Sequence, residues 1–200
     1  MFNRKIIKFL EEWQMRSGRK PLVLRGARQV GKTSAVQIFA RQHFRDILPL
    51  NLEKAEHMRL FGKDLSLDEF LTVVKAEFKK PVVPGETLIF IDEIQNSPAL
   101  IKLLRFFYEE RPDLHVIAAG SLLEAKIEKE GFSFPVGRVE FCYLYPLDYF
   151  EYLEAKGESE LLNILRETNI GREIPEPVHQ MALKYFYEYA DAKNKGKLRV

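Results

Sequence analysis

A single cysteine, Cys142, is all that 200 residues contain, so no disulfide within the chain holds the fold, and a reducing, cytoplasmic compartment is the expectation. Cys142 lies in an apolar, strand-like run and reads as a small buried hydrophobe rather than a reactive thiol. The four histidines, His43, His57, His115 and His179, show no ligand spacing, which leaves no zinc site to propose. No run approaches the roughly eighteen apolar residues of a membrane span, and the first residues lack the apolar core and cleavage site of a secretory signal. A membrane partner is not expected. Neither sign of charge dominates: 31 Lys and Arg against 29 Asp and Glu leave +2, too balanced to imply nucleic acid or an anionic surface from bulk electrostatics. Internal repeats and low-complexity tracts are also missing. What remains, 46% hydrophobic and 30% charged residues, describes one soluble globular domain with a large core and room for the start of a second.

Against that background residues 26 to 33 stand out. Gly26-Ala27-Arg28-Gln29-Val30-Gly31-Lys32-Thr33 matches G-x-x-x-x-G-K-[ST], the Walker A pattern, and follows the apolar run Pro21-Leu22-Val23-Leu24. A loop that wraps a polyphosphate needs glycines for tight curvature, inward-facing N–H groups and a helix N-terminus behind it. The candidate cradle is Gly26, Ala27, Arg28, Gln29, Val30, Gly31, Lys32, Thr33 and Ser34. Lys32 is placed to reach the β- and γ-phosphates, and the Thr33 hydroxyl to ligate Mg²⁺. At Arg28 and Gln29 backbone contacts are the firmer expectation. Ala35, Ile38, Phe39 and Gln42 recur at helical spacing, so the loop opens an amphipathic helix. The pattern implies binding of a nucleoside triphosphate.

Strand and helix signals alternate along the chain. Residues 3 to 16 read as an amphipathic helix that ends in a basic turn and packs beside the loop. A strand is expected at Ile47 to Leu52, helices through about Lys80, then Thr87-Leu88-Ile89-Phe90-Ile91, whose continuous apolar character suits a strand buried on both faces. A helix from Pro98 to Glu110, a strand from Leu114 to Ala119, a helix from Leu122 to Glu130 and a strand from Arg138 to Leu144 complete the pattern. This predicts an α/β fold: three layers, with a mainly parallel five-stranded sheet carrying helices on both faces. The expected division is an N-terminal helix and linker over 1–20, the core over 21–155, and a helical extension over 156–200.

The second chemical signal is Leu88-Ile89-Phe90-Ile91-Asp92-Glu93, an apolar strand ending in two carboxylates. Alone it would read as the solvated start of a loop. About sixty residues after a Walker A loop it reads as a Walker B segment, with Asp92 holding Mg²⁺ opposite Thr33 and Glu93 orienting the attacking water. Ser121, after the strand ending at Ala119, is a sensor candidate beside the γ-phosphate; with Glu124 it also fits a helix capping box. Arg138 precedes the last strand, a place from which ring-forming ATPases project an arginine toward a neighbour's γ-phosphate; a surface ion pair is the other reading. The Asn-Lys-x-Asp pattern that specifies guanine is missing, since Asn194-Lys195-Gly196-Lys197 lacks the aspartate, so ATP is expected rather than GTP.

Together with Ile94-Gln95, Ala119-Gly120-Ser121 and Gly137-Arg138 leading to Tyr145-Pro146-Leu147-Asp148-Tyr149-Phe150-Glu151-Tyr152, these segments make residues 4 to 155 resemble the AAA-like P-loop ATPases of archaea and bacteria that carry a C-terminal domain of unknown function. The resemblance implies an additional-strand, catalytic-glutamate core, with the P-loop strand flanked by the last strand and by the strand ending at Ala119. Such proteins look roughly twice as long, so the helical segment from Met181 to Ala190 is expected to begin a second domain that Val200 cuts short. The expected activity is Mg²⁺-dependent ATP hydrolysis coupled to conformational change of an attached domain or partner. A slowly hydrolysing, ATP-gated switch in defence, signalling or on DNA is the alternative. A P-loop kinase would need an arginine-rich lid, for which Arg166 and Arg172 are too sparse. Homo-oligomer, protein partner and DNA all stay open.

Overall fold

The computed structural model describes residues 4–121, 123, 133–168 and 173–194. Its centre is a five-stranded sheet in the order β2-β3-β4-β1-β5, made of β1 (Leu22–Arg25), β2 (Asp46–Asn51), β3 (Thr87–Asp92), β4 (His115–Ala119) and β5 (Glu140–Tyr143). Every pairing is parallel. β4 lies between β1 and β3, and β1 lies between β4 and β5, which is the expected arrangement. All residues of β3 and β4 are buried, because helices cover both faces and leave no room for a polar alternation.

Successive side chains on a strand point to opposite faces, and the two cores divide accordingly. Leu22, Leu24, Phe90 and Ile117 meet Leu10 and Trp13 of α1 (Lys5–Met15) and Val36 and Phe39 of α2 (Lys32–His43). On the other face Val23, Ile89, Ile91 and Val116 meet Phe61 of α3 (Ala55–Phe61), Phe70 of α4 (Leu67–Phe78) and Phe107 of α5 (Pro98–Glu110). The three phenylalanine rings form a chain with centroids 5.4 and 5.5 Å apart. The fold is therefore a three-layer α/β sandwich.

Both edges depart from a uniform buried strand. β2 contains Pro49, which has no N–H to give a second neighbour, and it pairs only with β3. β5 is shorter than the expected Arg138 to Leu144, because Arg138 N–H closes a turn on the Pro135 carbonyl at 3.0 Å. Its residues alternate between half-buried and exposed. Cys142 is consequently half-buried rather than buried, since an edge strand here has only one covered face.

Beyond the sheet stands a group of three helices: α6 (Tyr149–Lys156), at the end of the span expected for the core, and α7 (Ser159–Glu167) and α8 (Glu176–Asn194), within the span expected to be helical. It packs about Leu153, Leu161 and Leu162, and is tied together where the Tyr149 hydroxyl donates to the Ala182 carbonyl at 2.7 Å. Apart from Leu123, the helix expected from Leu122 to Glu130 lies outside the described residues, as do Arg172 and residues 195 to 197. Among those described, no helix is long and apolar enough to cross a membrane.

One core group makes the fold sensitive to acid. His115 is 6% exposed and meets Trp13 and Phe44 edge to face at 5.9 and 4.9 Å. Burial first, and the neighbouring Arg19 guanidinium second, push its pKa from 6.5 down to about 4. The unfolded chain thus binds the proton more readily between those values. The stability contributed by neutral His115 is full above pH 6.5, declines as the pH falls, and is gone near the folded value. We expect a loss of about 2 kcal/mol at pH 5 relative to pH 7.5 from this residue alone. Thermal melts of the parent and His115→Gln at both pH values check this: the fall in Tm between them should shrink in the variant, and an equal fall in both proteins would contradict it.

Candidate functional site

The loop after β1 takes a conformation that its glycines permit. Gly26 has φ 148°, and a Cβ there would lie 2.3 Å from the Leu144 carbonyl oxygen, so only glycine lets the loop leave β1 against the end of β5. Gln29 at φ 62° and Gly31 at φ 89° are also left-handed, and Gly31 is the N-cap of α2. The loop therefore curls over a helix N-terminus, where N–H groups and the helix dipole favour an anion. Arg28 and Gln29 have exposed side chains, Ala27 is exposed, Val30 is buried and Ser34 is half-buried on the first turn of α2.

Lys32 is buried, and its Nζ donates to the carbonyls of Gly26 at 2.9 Å and Ala27 at 2.8 Å. Its ammonium is thus held inside the loop. Burial lowers the Lys32 pKa, while Glu93 and Asp92 oppose that shift. Thr33 Oγ1 donates to Asp92 Oδ2 at 2.7 Å across 59 residues of sequence. Burial, the largest influence, pushes the Asp92 carboxyl up, and the Thr33 hydrogen bond pulls the other way. Asp92 pairs with Ala119, and Ala119 with Leu24, so the C-terminal ends of β3, β4 and β1 lie side by side. That edge is where open α/β sheets gather their ligands.

Glu93 adopts φ 55°, ψ 44°, a left-handed conformation uncommon for a residue with a side chain and often found where function constrains the chain. Its Oε2 accepts from Ser121 Oγ at 3.3 Å and from Gln95 Nε2. The sensor candidate Ser121 is buried and does reach the Glu93 carboxylate. The capping partner expected for it, Glu124, lies outside the described residues. Gln95 was not singled out by sequence reasoning as a site residue; its position two residues beyond Glu93 was the available signal.

Arg138 does not join this group. It stands two residues before Glu140, which pairs with Leu22 at the start of β1, so the whole of β1 separates it from the loop. Its Nε donates to Glu109 Oε1 at 2.7 Å and its side chain is 43% exposed. This geometry excludes a role for Arg138 at the phosphate loop of its own chain.

Arg4 is a residue that sequence reasoning missed. It is 4% exposed, donates through Nη1 to the Val30 carbonyl and through Nη2 to the Tyr145 carbonyl, both at 2.7 Å, and pairs with Glu151 at 3.5 Å. One guanidinium thereby joins the phosphate loop, the end of β5 and the first turn of α6. Nothing in the local sequence marks it.

The family model described as an AAA domain matches residues 18–153. The chain belongs to the AAA-domain family. Among curated proteins, no match is found. Among solved structures, this AAA domain is similar to the Aeropyrum pernix ORC2 protein, solved as ADPNP-ADP complexes, with 14% identity and a TM-score of 0.43, covering 78% of this chain and 50% of that one. The chain thus spans about half the length of that protein.

The donor set of the AAA domain suits a hard cation held with a polyphosphate. Thr33 and Asp92 bring two oxygens together at the mouth of the loop that holds Lys32. No group of three or more His, Cys, Asp or Glu side chains among the described residues could hold a metal. Mg²⁺ needs none, since it keeps waters and is bound by one or two protein oxygens plus substrate phosphates.

Proposed function

We propose that this AAA domain hydrolyses ATP in a Mg²⁺-dependent reaction and passes the resulting change of conformation to an attached domain or a bound partner. The observation that carries the reading is the hydrogen bond from Thr33 to Asp92, which brings the Walker A hydroxyl and the Walker B carboxylate to one point beside Lys32 and Glu93. Gly26 to Ser34 would cradle the phosphates, with Lys32 neutralising the β- and γ-phosphates. Thr33 and Asp92 would hold Mg²⁺, which when bound neutralises charge on the phosphate oxygens. Glu93 would take a proton from the attacking water, with Ser121 fixing its carboxylate.

Coupling finds support in Arg4. Were the loop to shift around a nucleotide, a displacement of the Val30 carbonyl would pass through Arg4 to Tyr145 and Glu151. Glu151 belongs to α6, the helix that leads into the helical extension. The test of the whole reading is Asp92→Asn, which removes the anionic oxygen but keeps the shape. We expect the Mg²⁺ concentration for half-maximal phosphate release to rise by about tenfold or more. An unchanged Mg²⁺ profile would place the metal elsewhere.

One observation favours the slower, ATP-gated switch as a second reading: Arg138 sits at the sheet edge opposite the loop, so no chain supplies this arginine to its own phosphates. In the shared-site version, Arg138 serves the pocket of a second copy, and specific activity rises with protein concentration. Mixing Arg138→Ala with Lys32→Ala protein should then restore part of the activity that each has lost. Two inactive variants that assemble and show no recovery would make Arg138 a structural partner of Glu109.

A further inference from the structure

We propose that Gln95 is a positioning residue that sets the carboxylate of Glu93 for the attack of water; the proposal rests on the reading of Glu93 as the base. Gln95 lies in a 3-10 turn (Ile94–Asn96) directly after Glu93 and is 6% exposed. The left-handed conformation of Glu93 turns the chain back on itself, so the side chains at 93 and 95 converge. Gln95 Nε2 donates to Glu93 Oε2, the same oxygen that accepts from Ser121. Two donors on one oxygen restrain the rotation of the carboxylate, and Oε1 would then be the oxygen that meets the water.

The far end of the amide is held in a tight seat. Gln95 Oε1 is buried and accepts no hydrogen bond from the described residues, so the described bond that the side chain makes is the one its Nε2 gives to Glu93. Gly120 completes the seat: a Cβ there would fall 2.5 Å from Gln95 Oε1 and 2.8 Å from Leu123 Cδ2. Its N–H is bonded to the Leu24 carbonyl at 3.2 Å, so the backbone is tied to the sheet edge and the amide would have to move instead.

A base works only while its lone pair points at the water it deprotonates, and a misplacement of about 1 Å can cost on the order of a hundredfold in rate. No described hydrogen bond links Gln95 to the phosphate loop, so its loss should spare nucleotide affinity. Steady-state kcat and KM for MgATP, with thermal melts, should be measured for the parent, Gln95→Met, Gly120→Ala, Glu93→Gln and the Glu93→Gln/Gln95→Met double variant. We expect Gln95→Met to lower kcat by about 10- to 100-fold with KM within about twofold. Gly120→Ala should shift kcat in the same direction by displacing the amide. The double variant should be no slower than Glu93→Gln, because Gln95 acts through Glu93. Should Gln95→Met fail to fold, Gly120→Ala with and without Glu93→Gln makes the same comparison. Parental kcat in both Gln95→Met and Gly120→Ala overturns the proposal, as does a double variant slowed beyond Glu93→Gln by the full factor of the single change. If Glu93→Gln itself keeps the parental rate, the base lies elsewhere and the proposal falls with that reading; if only Glu93→Gln is slow, Gln95 alone has been misread.

Discussion

Glu93→Gln will bind MgATP as the parent does and turn it over about two to four decades more slowly, the usual scale for losing a positioned base. The substitution keeps the length and shape of the side chain and removes the oxygen that can accept a proton. It leaves untouched the Lys32 contacts to the loop carbonyls and the Thr33 bond to Asp92, so affinity has no reason to change. Phosphate release at saturating MgATP measures the first quantity, and titration with a fluorescent ATP analogue the second. A variant that turned over at the parental rate would move the base away from Glu93, whereas one that lost binding would make Glu93 a part of the nucleotide cradle.

Lys32→Ala will weaken ATP binding by about 10- to 100-fold, the equivalent of roughly 1.5–3 kcal/mol for hydrogen bonds to a charged group. Its Nζ already lies inside the loop, bonded to Gly26 and Ala27, and the other loop cation, Arg28, has an exposed side chain. No second ammonium is placed to replace it. The same analogue titration reads the loss, and a thermal melt shows that the variant is folded. Unchanged affinity in a folded variant would mean that Lys32 does not face the phosphates.

Much of this architecture was legible before any coordinates because its signals are local. The run from Thr87 to Ile91 is apolar at consecutive positions because β3 is covered on both faces. The glycine spacing of residues 26 to 31 follows from the loop's own backbone angles. The edges differed. β2 was legible in spite of Pro49, with bounds one residue off, and an edge strand tolerates that proline because it needs only one neighbour; the extent of β5 was overestimated because the turn at Pro135 to Arg138 takes up its expected start.

What could not be read is what distant segments build together. Arg4 gains its meaning from partners 26, 141 and 147 residues away, and no periodicity records such contacts. Gln95 stood in plain view beside Glu93, but its role depends on the left-handed turn at Glu93 and on the space that Gly120 leaves. For Arg138 the position before the last strand and a surface ion pair as one of two readings were apparent, and the identity of the partner, Glu109, was not.

The most direct measurement is phosphate release from ATP by the unaltered chain, followed over a range of protein concentrations with Mg²⁺ present and again after chelation. A Mg²⁺-dependent hydrolase at this site predicts sustained release that stops when the metal is removed and that exceeds the release by Glu93→Gln at every concentration. Release indifferent to the chelator, or ATP bound by the parent with no more release than by Glu93→Gln, would contradict it.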